Sequence, residues 1–141
     1  KQKRHGFNNE LINVYKFRSM YTDKSDNNAA KLVTKDDDRV TKVGRFIRKT
    51  SLDELPQLYS ILKGDISFVG PRPALFNQDD LVGLRTGKGI HKLIPGITGW
   101  AQVNGRDELP IPVKVEVDEY YLKNRSFARD FKIFSEALAL K

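Results

Sequence analysis

This chain of 141 residues has no cysteine, which excludes disulfides and thiolate metal sites and permits a reducing compartment. Histidine is scarce: His5 and His91 stand far apart in the sequence, so a zinc site is not expected. No apolar run approaches the ~18 residues of a membrane-crossing helix. The opening Lys-Gln-Lys-Arg-His has no initiator Met and no apolar stretch of the kind found in signal peptides. Internal repeats and a domain linker are also missing, so one domain with an ordinary core is expected over residues 1–141.

Basic charge is what the chain has in excess. Twenty-five Lys and Arg face 18 Asp and Glu, a formal net charge of +7. Such a surface is drawn to nucleic acid, anionic lipid or phosphorylated small molecules, and charge alone does not choose among them. No helix-turn-helix, zinc-finger or RNP pattern is visible, so nucleic acid is not the expected partner. A basic adaptor without catalysis, binding polyanions in a salt-sensitive way, is the rival class.

Ser51-Leu52-Asp53-Glu54-Leu55-Pro56-Gln57 points instead to an enzyme. It puts two adjacent carboxylates at a helix start, just after the acid-free basic run Arg39, Lys42, Arg45, Arg48 and Lys49. Gly70-Pro71-Arg72-Pro73 follows, with two prolines restricting the backbone of Arg72. Acids that can attack or hold a metal, among bases that can hold an anion, suggest phosphate chemistry. An Asp-Glu pair at a helix start is ordinarily a cap, but the second acid adds little once the first caps. Ser51 as N-cap completes a Ser-x-x-Glu capping box. Asp53 as N-cap puts Pro56 in the first turn, where its missing donor costs nothing, and is the preferred reading.

Elsewhere, Leu11–Met20 reads as a strand carrying Lys16 and Arg18. Residues 21–38 read as a polar loop, with a short helix near Ala29–Val33. Val40–Lys49 and Asp53–Lys63 read as helices, the second striped by Leu55, Leu58, Tyr59 and Leu62 and stopped by Gly64. Ile66–Val69 reads as a short buried strand, Gln78–Lys88 shows no clear period, and Pro95–Arg106 reads as a glycine-shaped loop around Trp100. Trp100 suits a core, a base-stacking platform or an interfacial anchor. Ile111–Asp118 alternates like a strand. Ser126 caps a last helix running to about Leu140, with Phe127, Phe131, Phe134 and Leu138 as its apolar face.

Six ordered motifs carry a family resemblance over nearly the whole chain. They are Tyr15–Met20 (YKFRSM), Asp38–Phe46 (DRVTKVGRF), Arg48–Gln57 (RKTSLDELPQ), Leu62–Asp65 (LKGD), Gly70–Pro73 (GPRP) and Pro95–Arg106 (PGITGWAQVNGR). The chain closely resembles the bacterial sugar transferases, the monotopic polyprenyl-phosphate phosphoglycosyl transferases. The resemblance implies transfer of a sugar-1-phosphate from a UDP-sugar to polyprenyl (undecaprenyl) phosphate, releasing UMP and initiating a surface glycan such as capsule, exopolysaccharide or lipopolysaccharide. It implies Asp53 as nucleophile, Glu54 and Asp53 as magnesium ligands, Lys16 and Arg48 as phosphate contacts, Arg72 as a nucleotide-side contact, and Arg106 as a weaker candidate. It further implies a site at the cytoplasmic face of the bacterial inner membrane, with the basic helix Val40–Lys49 near anionic headgroups. Family members carry an N-terminal re-entrant membrane segment that is missing here, so the chain is expected to be cut from something longer. The resemblance also places a helix from about Val113, and helix is preferred there over strand. The expected fold is a compact α+β (or α/β) domain, with amphipathic helices around a small β-sheet.

Overall fold

A computed structural model describes residues 1–24, 36–105 and 109–139. The short helix expected near Ala29–Val33 and the candidate Arg106 lie outside the described residues. The fold is α+β, as the sequence suggests.

The chain starts as a hairpin. β1 (Gln2–His5) pairs antiparallel with β2 (Leu11–Val14), Gln2 opposite Val14. The connection turns through Asn8 and Asn9 at positive φ, a region that asparagine tolerates better than most residues. Regular pairing ends at Val14, short of the Leu11–Met20 strand expected. Met20 is nevertheless bridged to Val40, which ties the extended segment to the start of the first helix.

That helix, α1 (Lys42–Lys49), is capped by Thr41, whose Oγ1 accepts the Gly44 N–H at 2.8 Å. The next helix departs from expectation. Asp53 is not its N-cap. Leu52–Glu54 forms a separate 3₁₀ turn entered through Ser51 at φ 57°, and α2 (Gln57–Lys63) begins only after Pro56. Pro56 cannot donate inside a helix and so sits at the boundary, in the N-cap position. Gly64 closes α2 at φ 85°, as expected.

β3 (Ser67–Val69) runs parallel to β4 (Gly96–Thr98). Among the described residues there are thus two small sheets, not one. An antiparallel bridge between Arg4 and Leu75 brings the hairpin to the segment that follows β3.

Two further expectations change and a third holds. Asp79–Gly87, where no period was legible, is helix α3. The glycine-rich Pro95–Arg106 segment contains β4 and the short helix α4 (Trp100–Gly105). α5 (Ile111–Lys123) confirms helix over strand: Val115, Asp118 and Tyr121 are its buried positions, spaced three apart. α6 (Phe127–Ala139) follows, with Ser126 Oγ accepting the Arg129 N–H at 3.1 Å.

The core belongs to the C-terminal half. Ala74, Leu81, Ile90, Leu93, Val115, Tyr121 and Ile133 pack together, with Trp100 and Val103 against them. Helices α1, α2 and α6 turn their apolar stripes outward. Val43 and Phe46 on α1 are exposed, as are Leu58, Tyr59 and Leu62 on α2 and Phe127, Phe131 and Leu138 on α6. Leu62 and Phe127 each keep 88% of their surface. The side of α2 that faces the protein is polar: Gln57 and Ser60 are buried. Among the described residues no helix is long and apolar enough to cross a membrane.

Candidate active site

The 3₁₀ turn places the two carboxylates differently. Asp53 is buried, 8% exposed, while Glu54 turns to Lys16, whose Nζ donates to Glu54 Oε1 at 3.0 Å. The turn is fixed from outside by the extended segment after β2, where the Phe17 N–H donates to the Asp53 carbonyl at 2.9 Å. Lys16, one residue earlier, is thereby brought to the same place as the acids, 38 positions away in sequence.

Arg48 arrives from the last turn of α1. Its Nε donates to the buried Ser19 Oγ at 2.6 Å, and its charge acts on Asp53. Arg72 comes from the Gly-Pro-Arg-Pro turn and lines a cleft with Lys16, Gln57 and Pro73. Of the six residues singled out from sequence, Asp53, Glu54, Lys16, Arg48 and Arg72 are therefore assembled. The expectation that Asp53 caps the helix is corrected: it is buried in a separate turn between cations.

The electrostatics follow from that setting. Burial raises the Asp53 carboxyl above the usual range. Lys16 pulls the other way, Glu54 adds to the rise, and Arg48 opposes it. Lys16 is held below the ordinary lysine value, first by burial and then by the positive charge of Arg72, against the pull of Glu54. A second arginine, Arg4, also presses on Lys16. The cluster is a concentration of positive charge around one buried acid, the arrangement that would receive a polyanion.

Among the described residues no three histidines or carboxylates gather as a metal cage. Magnesium commonly uses one or two carboxylates plus substrate phosphates and keeps several waters. Asp53 and Glu54 fit that pattern, provided the anion supplies the other oxygens.

Sequence reasoning missed Arg4 and Ser19, which act on Lys16 and Arg48, and the Arg85–Asp118 pair, whose arginine Nη1 donates to the Arg72 carbonyl at 2.8 Å. Arg4 lies in the basic opening and alternates inward along β1. Ser19 lies inside a quoted motif, but nothing marks it as the partner of Arg48. Arg85 and Asp118 sit in segments whose helical character was respectively unreadable and masked by alternation. Only the fold pairs them.

Comparison with known proteins bears on the chain as a whole. The bacterial sugar transferase family matches residues 1–140. The chain belongs to that family. Similar proteins include the undecaprenyl-phosphate glucose phosphotransferase of Komagataeibacter xylinus, 46% identical over 94% of this chain and 27% of that protein. The uncharacterized sugar transferase EpsL of Bacillus subtilis strain 168 is 49% identical over 94% of this chain and 64% of its own length. The UDP-glucose:undecaprenyl-phosphate glucose-1-phosphate transferase of Escherichia coli K12 is 44% identical over 94% of this chain and 30% of its own. This bacterial sugar transferase chain thus spans from 27% to 64% of the length of these relatives.

Proposed function

We propose that this chain carries the catalytic site of a polyprenyl-phosphate phosphoglycosyl transferase, moving a sugar-1-phosphate from a UDP-sugar to undecaprenyl phosphate. The observation that carries the reading is Asp53, buried in a turn between Lys16 and Arg48 with Arg72 across the adjoining cleft. The names of two similar proteins, a phosphotransferase and a glucose-1-phosphate transferase acting on undecaprenyl phosphate, support it.

In this mechanism a carboxylate oxygen of Asp53 attacks the phosphorus that bears the sugar. The bond between that phosphorus and the bridging oxygen breaks, and UMP leaves with the electron pair. An oxygen of the polyprenyl phosphate then attacks the same phosphorus. The aspartyl bond breaks, the carboxylate is restored, and a polyprenyl diphosphate sugar departs. Arg48 and Arg72 hold phosphate oxygens through their guanidinium forks, and Lys16 supplies a point charge beside them. Glu54 with Asp53 would hold magnesium, which supplies neutralisation of the diphosphate charge that otherwise repels an attacking carboxylate. Mass spectrometry of the full-length protein after incubation with a panel of UDP-sugars tests the reading. An adduct of phosphosugar mass on the peptide containing Asp53 is expected. Its absence with every donor, while the lipid product still forms, would overturn the covalent step.

Ser19 offers a finer check. Its hydroxyl accepts the Arg48 Nε hydrogen bond, so Ser19→Ala is expected to slow adduct formation about tenfold and to cost about 1–2 kcal/mol of stability. Single-turnover kinetics and a melting curve measure the two separately. An unchanged rate would show that Arg48 does not depend on this bond.

The outward apolar stripes of α1 and α2 support a second element of the proposal, docking on the anionic cytoplasmic face of the bacterial inner membrane. On α1 the exposed Val43 and Phe46 lie among exposed Lys42, Arg45 and Lys49, the composition of a helix lying in a charged interface. Replacing Val43 and Phe46 together by Glu is expected to weaken binding to vesicles containing anionic lipid at least tenfold, measured by co-sedimentation. Binding that survives both changes would place the lipid contact elsewhere.

A further inference from the structure

The Arg72 turn is clamped from behind. Arg85 on α3 and Asp118 on α5 are 7% and 2% exposed. Arg85 Nε and Nη2 donate to Asp118 Oδ2 at 3.0 and 2.7 Å, and its remaining terminal nitrogen, Nη1, donates to the Arg72 carbonyl at 2.8 Å. The carbonyls on either side are held too. Pro71 accepts the Gly96 N–H at 3.0 Å, and Pro73 accepts Arg4 Nη1 at 2.9 Å. Three consecutive carbonyls are thus fixed, in a turn whose prolines already restrict it. Arg72 also lines the cleft with Lys16 and acts on its charge. Buried ion pairs are weak devices for stability, because removing two charges from water offsets their attraction. This one connects the core to the turn that supplies Arg72 to the site.

We propose that Arg85 and Asp118 are positioning residues for the transfer: their buried ion pair fixes the Arg72 carbonyl and so holds the Arg72 guanidinium where the nucleotide-sugar diphosphate binds. Neither residue touches substrate. The inference rests on the phosphoglycosyl transferase reading, and its test separates the two.

The test replaces the pair in the full-length protein with apolar residues of similar size, Arg85→Met with Asp118→Leu, which leaves no charge unpaired. Arg85→Lys is the second variant, should the first fail to fold. It keeps the charge opposite Asp118 but loses the three-way fork. In either, kcat/KM for the UDP-sugar is expected to fall about thirtyfold, while KM for the polyprenyl phosphate stays within twofold. In an Arg72→Ala background the same changes are expected to cost less than twofold, since no guanidinium remains to be aimed. Equal losses in both backgrounds, or equal losses for both substrates, would mean a general structural role and overturn the proposal. Amide exchange gives a readout independent of catalysis. The Gly96 amide, bonded to Pro71, is expected to exchange at least tenfold faster in the variants, with the interior amides of α3 and α5 unchanged. Unchanged exchange at Gly96 overturns the clamp even if the protein transfers nothing. Failure of the parent protein to transfer from any UDP-sugar would instead sink the functional reading, leaving exchange to decide the clamp.

Discussion

Asp53→Asn is expected to abolish the phosphosugar adduct, to lower transfer on the order of 10⁴-fold or more, and to make the protein more stable at neutral pH. All three come from one feature. The carboxylate has to be ionised to attack, yet it sits where burial and the neighbouring Glu54 disfavour its charge more than Lys16 and Arg48 favour it. A carboxyl whose pKa is higher folded than unfolded binds its proton more tightly in the folded state. The stability it contributes is therefore complete below the unfolded value and is lost as pH rises through the folded one. At neutral pH that loss has occurred, and a neutral amide of the same shape removes it. The stability difference should shrink as the pH is lowered, because Asp53 then becomes neutral itself. Melting curves of parent and variant at pH 7 and near pH 4 check the sign. A variant less stable than the parent at pH 7 would mean that the carboxylate anchors Lys16 and Arg48 more than it strains the fold. The same pKa direction predicts that adduct formation fails on the acid side at a higher pH than an ordinary aspartate would impose.

The chemistry was more legible in the sequence than the architecture around it. Asp53 and Glu54 are adjacent, and Arg48 is five residues upstream, so their proximity needs no tertiary fold. Lys16 joins them through the hydrogen bond from Phe17 to Asp53, and Arg72 through the contacts of Arg4 with Pro73 and Leu75, none of which leaves a local mark. The 3₁₀ turn at Leu52–Glu54 was unreadable for a different reason. Pro56 signals a helix boundary, but it does not say on which side the carboxylates fall, and Ser51 at φ 57° breaks the path that either capping scheme assumed. α3 escaped detection because Gly83 and Gly87 dilute its apolar period. In Ile111–Asp118 period-2 alternation coincides with a helix whose buried positions include an aspartate, and only the Asp118–Arg85 bond explains that burial.

The helical stripes teach a second lesson. Their period was read correctly, and the helices exist. Which way the stripe faces was not legible: α2 buries Gln57 and Ser60 and leaves Leu58 and Leu62 outside. Periodicity identifies an amphipathic helix without saying whether its apolar face meets protein or lipid. The decision lies in which residues are small enough for close approach, and on α1 that residue is a glycine.

Gly44→Ala is expected to be the most damaging of the glycine-to-alanine changes inside the helices. A methyl group at Gly44 would lie 2.0 Å from the Ser19 carbonyl oxygen and 2.8 Å from its carbon. That oxygen cannot easily retreat, because it accepts the Thr41 N–H at 3.0 Å and the bridge from Met20 to Val40 follows directly. Alanine gains about 1 kcal/mol of helix propensity over glycine. Overpacking against fixed backbone costs typically about 1–3 kcal/mol and here should dominate. Arg48 lies one turn further along the same face, so prying α1 from the Ser19 segment also draws its guanidinium off the Ser19 hydroxyl and away from Asp53. The variant should therefore lose both stability and adduct formation, the latter more severely than Ser19→Ala. Gly83, in the interior of α3 with nothing within 4 Å of an added methyl, gives the opposite expectation. There alanine should stabilise by about 0.4–1 kcal/mol and leave transfer unchanged. Thermal unfolding and single-turnover kinetics on the two variants decide the matter. If Gly44→Ala stabilises as Gly83→Ala should, α1 does not approach the Ser19 segment closely enough to aim Arg48.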